Sequence, residues 1–251
     1  MSQSNREQLR RNQAAQAKQK RLNRIIGVGA AVLVVVLIGV FVAVLVQNQS
    51  QTATTSSATP PNATADKAAI VVNPGKAASG APVFELFFDY QCPVCKQFEG
   101  VYGPAIKALA DSGEIELHYR TMTFMSTNLK NDDSVRSSIG AACSDFSGKY
   151  LAYHEQIFAN QPTSEGSGYT DELLRDAIPS AVGITGSELT SFQTCFDSQT
   201  TKAFVNGTNE AASRSGINAT PSVRVNGKDL SLETIGAVQP EGLGDLIKQN
   251  A

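Results

Sequence analysis

Cysteine and histidine are scarce in this chain of 251 residues, which has four of the first and two of the second. No cysteine stands before position 92, and one Cys-X-X-Cys pair, Cys92-Pro-Val-Cys95, accounts for half of them. A zinc site built on that pair needs two more ligands. Cys143, Cys195, His118 and His154 are the candidates, but they supply no second closely spaced pair of the kind zinc sites normally use. Neither a metal nor a cofactor is expected. Charge, amide and hydroxyl are all missing from Ile25 to Val46, which excludes that stretch from an ordinary soluble surface.

What is present on either side gives the stretch its meaning. The net charge of −2 hides a basic head, residues 1–24, with Arg6, Arg10, Arg11, Lys18, Lys20, Arg21 and Arg24 against the single acid Glu7. Such a head can serve as a nucleic-acid arm, but it ends abruptly where the apolar run begins, so no nucleic-acid partner is expected. As a helix the run measures roughly 33 Å, enough for a hydrocarbon core of about 30 Å. The positive-inside rule then keeps the N-terminus in the cytoplasm and the remainder outside, anchored in the cell membrane by one pass. A cleaved secretory signal is the competing reading. Its apolar core usually spans roughly 7–15 residues and ends at a small-residue cleavage site, whereas Val46-Gln-Asn-Gln49 follows here. Residues 47–66, rich in Ser, Thr, Ala and Asn with Pro60-Pro61 among them, bury too little apolar surface to offset chain entropy and are expected to be a disordered tether.

Residues 67–251 form the expected folded domain. Hydrophobic residues at 41% and charged residues at 18% suit a globular chain rather than a disordered one. Ala68–Val72 and Val83–Phe88 read as strands bounded by Asn-Pro-Gly and Gly-Ala-Pro turn signals. From Pro93 to Ala110 the residues Phe98, Val101, Tyr102, Ile106 and Leu109 recur at helical spacing, with a kink expected at Gly103-Pro104. Glu114–Arg120 alternates as a strand, completing a βαβ unit. Between about 126 and 215 the pattern is helical, with candidates at Ser134–Phe146, Lys149–Ala159, Thr170–Ile178, Ser187–Phe196 and Thr200–Arg214. Ser222–Asn226, a second strand near Leu230–Leu232 and a helix over Pro240–Asn250 complete the chain.

The cysteine pair opens the first helix. Thiolate is the reactive form of cysteine, and the free N–H groups and positive dipole end of a helix favour it. Cys92 at the N-cap is expected to be the accessible nucleophile. Cys95, one turn deeper, is expected to be buried and to resolve a mixed disulfide. Pro93 suits the first turn, where its missing N–H would go unpaired anyway. An inert structural disulfide is the bland alternative.

Several segments extend the pattern: Phe88-Asp89-Tyr-Gln-Cys92-Pro-Val-Cys95, Gly148-Lys-Tyr-Leu-Ala-Tyr-His154-Glu-Gln-Ile-Phe158, Phe192-Gln-Thr-Cys195, and Gly216-Ile-Asn-Ala-Thr220-Pro221-Ser-Val-Arg-Val-Asn226-Gly227. Together they resemble the DsbA-like branch of the thioredoxin superfamily, in a membrane-anchored, actinobacterial-type form. The resemblance covers essentially all of residues 67–251. It implies an α/β, thioredoxin-like fold with a helical insertion, preceded here by one transmembrane helix. It implies that Cys92 is the nucleophile and Cys95 the resolving thiol, that Pro221 is cis and faces them, and that the Thr220 backbone pairs with an extended substrate. Many relatives carry a buried acid six residues before the first cysteine. Leu86 stands there, with Glu85 and Asp89 on either side, so a proton relay falls to Asp89 or to none. His154 reads as structural. Strong oxidants of the family tend to carry Pro-His between the cysteines; Pro93-Val94 here implies a weaker one.

Cys143 and Cys195 lie in separate predicted helices. Outside the cytoplasm a disulfide between them is favoured over two buried thiols. The expected activity is disulfide introduction into exported, cysteine-containing polypeptides, with a membrane redox partner for reoxidation. A reductase or isomerase on the same scaffold is the alternative, and a non-catalytic peptide-binding chaperone is a second.

Overall fold

The computed structural model describes residues 57–251. The basic head, the apolar run Ile25–Val46 and the first half of the tether, residues 47–56, lie outside them. Among the described residues no helix is long and apolar enough to cross a membrane.

The apolar string Val83-Phe-Glu-Leu-Phe-Phe88 becomes strand β2 (Val83–Phe88), and it is central because both its faces are covered. Its neighbours are β3 (Glu116–Thr121), parallel, and β4 (Ser222–Val225), antiparallel; β1 (Ile70–Val71) and β5 (Lys228–Leu230) form the edges. The sheet order is β1-β3-β2-β4-β5. Phe84, Leu86 and Phe88 enter the main core, while Phe87 packs on the other face with Met122, Ala212 and Ile217. Glu85 is the one charge on this strand, and Arg120 Nε pairs with it at 2.6 Å.

Helix α1 (Pro93–Asp111) crosses from β2 to β3 and buries Cys95, Phe98, Ile106 and Ala110. It runs through Pro104 without ending, forfeiting the hydrogen bond that Pro104 lacks an N–H to make. Gly113 follows at φ +77°, and a side chain there would strike the Lys76 carbonyl. Glycine alone suits that turn.

The insertion contains α2 (Phe124–Leu129), α3 (Asp133–Ser144), α4 (Tyr150–Ala159), the short α5 (Ile178–Ala181), α6 (Gly186–Asp197) and α7 (Lys202–Arg214). Helix α3 is buried along most of its length, and its Ser, Gly and Ala residues let neighbours approach closely. Gly140 is in contact range of the Tyr153 hydroxyl, which donates to Leu174 O at 2.6 Å. The helix expected at Thr170–Ile178 widens into a π-turn over Leu173–Ala177 before α5. The widening lies just before Pro179, which has no N–H to give the carbonyl of Arg175, four residues earlier. Helices α2 and α8 (Leu232–Gly236) had no counterpart in the sequence reading, being too short for periodicity to register. The expected C-terminal helix is a 3₁₀ turn at Pro240–Gly242 leading into α9 (Leu243–Gln249).

The tether expected to Asp66 stops short of it. Ala58 N–H donates to Thr200 O at 3.0 Å, and Ala63 bridges to Ile70. Asn62 donates twice to the Asp145 carboxylate, from its backbone and its side chain, each at 2.8 Å. Composition misled here because the docking is largely polar: apart from the buried Pro60, hydrogen bonds hold the segment.

Candidate active site

The site forms where β2 ends and β4 begins. Antiparallel pairing sets Ser222 opposite Phe87, which brings the loop before β4 to the turn between β2 and α1. The Thr220–Pro221 peptide in that loop is cis. Cys92 Sγ lies 3.5 Å from Thr220 O, and the thiol donates to it.

Cys92 is the N-cap of α1, with extended backbone (φ −78°, ψ 116°), and its sulfur accepts from Cys95 N–H at 3.4 Å. Pro93 opens the helix, and Pro93 and Val94 lie exposed over the pair. Both cysteines are free thiols. Cys95 is 1% exposed, while Cys92 at 7% is far less open than the sequence suggested. The Thr220 loop lies against its sulfur.

The two thiols titrate in opposite directions. The Cys92 thiol is pushed down to about 6, first by the hydrogen bond from the Cys95 thiol, then by N–H groups of the first turn and the Thr220 hydroxyl, with burial opposing. That hydroxyl is buried and makes no aligned hydrogen bond. Cys95 goes the other way, raised by burial and by its hydrogen bond to Cys92. Such a pair offers one ready thiolate and one reserve thiol.

Asp89 is fully buried behind the turn. Its carboxyl accepts from Ser134 Oγ at 2.6 Å, Gln91 N–H at 2.9 Å and Met125 N–H at 3.1 Å. Burial pushes it up to about 6 against those donors. The Gln91 side chain joins the same cluster through Asn131 and Ser134, at 2.8 Å each.

Other predicted residues lie elsewhere. His154 is buried among aromatic rings, its Nδ1 3.1 Å from the Tyr90 hydroxyl and its Nε2 3.2 Å from Glu99 Oε1, without hydrogen-bond alignment to the latter. His118 meets Glu116 at 2.6 Å on β3. Cys143 on α3 and Cys195 on α6 are disulfide-bonded, with Cα atoms 6.0 Å apart. Among the described residues no cluster of three or more His, Cys, Asp or Glu is placed to hold a metal. Two residues at the cysteine turn were absent from the sequence reading. Gln161 Nε2 donates to Tyr90 O and Cys92 O, and Tyr169 Oη donates to Tyr90 O. Only Gln161-Pro162 at the end of a helical pattern marked the first, and nothing local marked the second.

Against known proteins, the family described as thioredoxin matches residues 75–249. "Disulfide bond formation protein D" of Bacillus subtilis is 27% identical over 150 residues, covering 59% of this chain and 65% of that protein. The chain thus aligns with just under two thirds of that relative. Among solved structures, MdbA of Actinomyces oris, a thiol-disulfide oxidoreductase, superposes with a TM-score of 0.63 at 22% identity over 76% of this chain and 92% of that one. Reduced DsbA of Mycobacterium tuberculosis gives 0.59 at 23% identity over 73% and 92%. At these identities the two structures share the fold.

Proposed function

This chain belongs to the thioredoxin family, and from that premise we propose that it is a protein-disulfide oxidoreductase that introduces disulfides into exported polypeptides. Cys92 is the nucleophile, Cys95 resolves, and the Thr220–Pro221 loop presents backbone to an extended substrate. The observation that carries the reading is the meeting of a helix-capping sulfur with the Thr220 carbonyl at 3.5 Å.

In the oxidised enzyme a substrate thiolate attacks Cys92 Sγ, the Cys92–Cys95 bond breaks, and Cys95 leaves with the electron pair and takes up a proton. A second substrate thiolate then attacks its own sulfur in the mixed disulfide. Cys92 leaves as a thiolate at the helix N-terminus, where it is stabilised. Two electrons pass from substrate to enzyme. Thiolate stabilisation favours the reduced enzyme and therefore drives the reaction toward substrate oxidation. Reoxidation falls to a membrane redox partner that takes the two electrons.

An extracytoplasmic setting is supported by the Cys143–Cys195 disulfide, since such bonds persist in oxidising compartments. The apolar run 25–46 would anchor the domain, with residues 1–24 inside and the chain from 47 onward outside. The deciding experiment equilibrates the Cys92–Cys95 couple against glutathione. A potential of about −120 to −200 mV supports a disulfide donor, whereas about −270 mV assigns the chain to substrate reduction.

A further inference from the structure

Gln161 follows α4 and belongs to no regular element, yet it is buried. Its single carboxamide nitrogen donates to two main-chain oxygens, Tyr90 O at 2.8 Å and Cys92 O at 3.0 Å. Those carbonyls flank Gln91, so one amide group spans the turn by which the chain leaves β2 and enters α1. Tyr169 Oη reinforces it, donating to Tyr90 O at 2.6 Å. Lys96 Nζ, in the first turn of α1, donates to Gln161 O at 3.1 Å. The helix start therefore holds the backbone of the residue whose side chain holds the helix cap. Both clamping side chains come from the insertion and reach the redox turn through its main chain alone.

We infer that Gln161 is a positioning residue of the exchange reaction, fixing the Cys92 peptide so that Sγ stays on the first-turn N–H groups. The inference rests on the exchange reading above and deepens it. Cys92 Sγ sits 3.4 Å from Cys95 N and 3.5 Å from Thr220 O. Both contacts depend on where the Cys92 peptide places Sγ, so a rotation of that peptide alters both together. The two carbonyl oxygens are also held in register by a shared donor, which no separate pair of waters would enforce. Gln161 touches neither sulfur; its effect passes through backbone geometry.

The test reads Cys92 directly. In the reduced full chain, iodoacetamide alkylation of Cys92 is followed against pH for the wild type, Gln161→Met, Gln161→Glu and Tyr169→Phe. Gln161→Met keeps length and loses the donors; Gln161→Glu keeps shape and sets an acceptor against two carbonyls. Both are expected to move the midpoint upward by about half a pH unit or more, which below the midpoint slows alkylation about threefold or more. Tyr169→Phe, which leaves Gln161 in place, is expected to move it less. Gln193→Met removes a different insertion hydrogen bond, to Asp176 at 2.7 Å, and is expected to leave the profile unchanged while lowering thermal stability.

A folded Gln161→Met protein with the wild-type profile overturns the inference, as does an equal shift in Gln193→Met. Should the Gln161 variants fail to fold, Tyr169→Phe decides through the same profile, and no shift there counts against the clamp. Alkylation requires no exchange partner. A wild type with a depressed midpoint that cannot oxidise a dithiol peptide therefore sinks the functional reading alone.

Discussion

Cys92 Sγ and the carbonyl oxygen of Thr220 lie 3.5 Å apart although 128 residues separate them in the chain. The register of β4 on β2, Ser222 opposite Phe87, forces the meeting, because each strand hands its neighbouring loop to the same end of the sheet. A reactive sulfur is thereby set beside main chain. Recognition of a partner at this point can proceed through backbone pairing, largely indifferent to side chains.

The first prediction concerns the thiolate. Followed by ultraviolet thiolate absorbance, the reduced protein is expected to show a step near pH 6 that belongs to Cys92. Cys92→Ser should remove the step and all exchange activity; Cys95, raised by burial, should not titrate in its place. A single step near pH 9.0, the ordinary cysteine value, would remove the physical basis for an activated nucleophile.

Stability should follow the redox state with a definite sign. The folded Cys92 value lies below its ordinary 9.0, at about 6. The stabilisation is therefore full above about pH 9 and is lost as pH falls through about 6. The oxidised form has no such thiol. Urea titrations at pH 5 and pH 8 should show the reduced form gaining on the oxidised form as pH rises. An equal gap at both pH values contradicts this.

Asp89 gives the opposite slope. Burial raises its carboxyl from 3.8 to about 6, so its contribution is full below about 3.8 and lost as pH rises through about 6. In the oxidised form, where Cys92 does not titrate, the wild type should lose stability across that window. Asp89→Asn should flatten the decline by up to about 1.4 kcal/mol per pH unit. Parallel profiles for the two proteins would show that Asp89 is ionised throughout.

The disulfide is expected to be structural. It joins residues 52 apart, and removing such a bridge by Cys143→Ala with Cys195→Ala should cost about 2–4 kcal/mol of unfolding free energy. The Cys92 step should stay in place. Mass spectrometry after alkylating the denatured, unreduced protein should find both residues unmodified; two alkylated cysteines would refute the bond.

The parts legible in the sequence were those whose signal is local. Val83–Phe88 declared a strand by an apolar run broken only by Glu85 and bounded by turn signals, and Phe98 and Ile106 declared the face of α1. Cys92, Pro93 and Cys95 mark a helix start by types whose capping chemistry is specific. Distant polar pairing left no such trace. Nothing near Asn62 announces Asp145, and nothing near Gln161 announces two carbonyls some seventy residues earlier. Tyr169 looks like any core aromatic until its hydroxyl is seen to reach Tyr90 O. The openness expected of Cys92 failed for the same reason, since the Thr220 loop that covers it arrives from the far end of the chain.

Asn62 and Ala58 fasten the entering chain to the insertion, through Asp145 just beyond α3 and Thr200 just beyond α6. Those attachment points sit close in sequence to Cys143 and Cys195, the two ends of the covalent brace. Force applied at Ser57 would therefore meet those braced helices before it reached the sulfur-bearing turn.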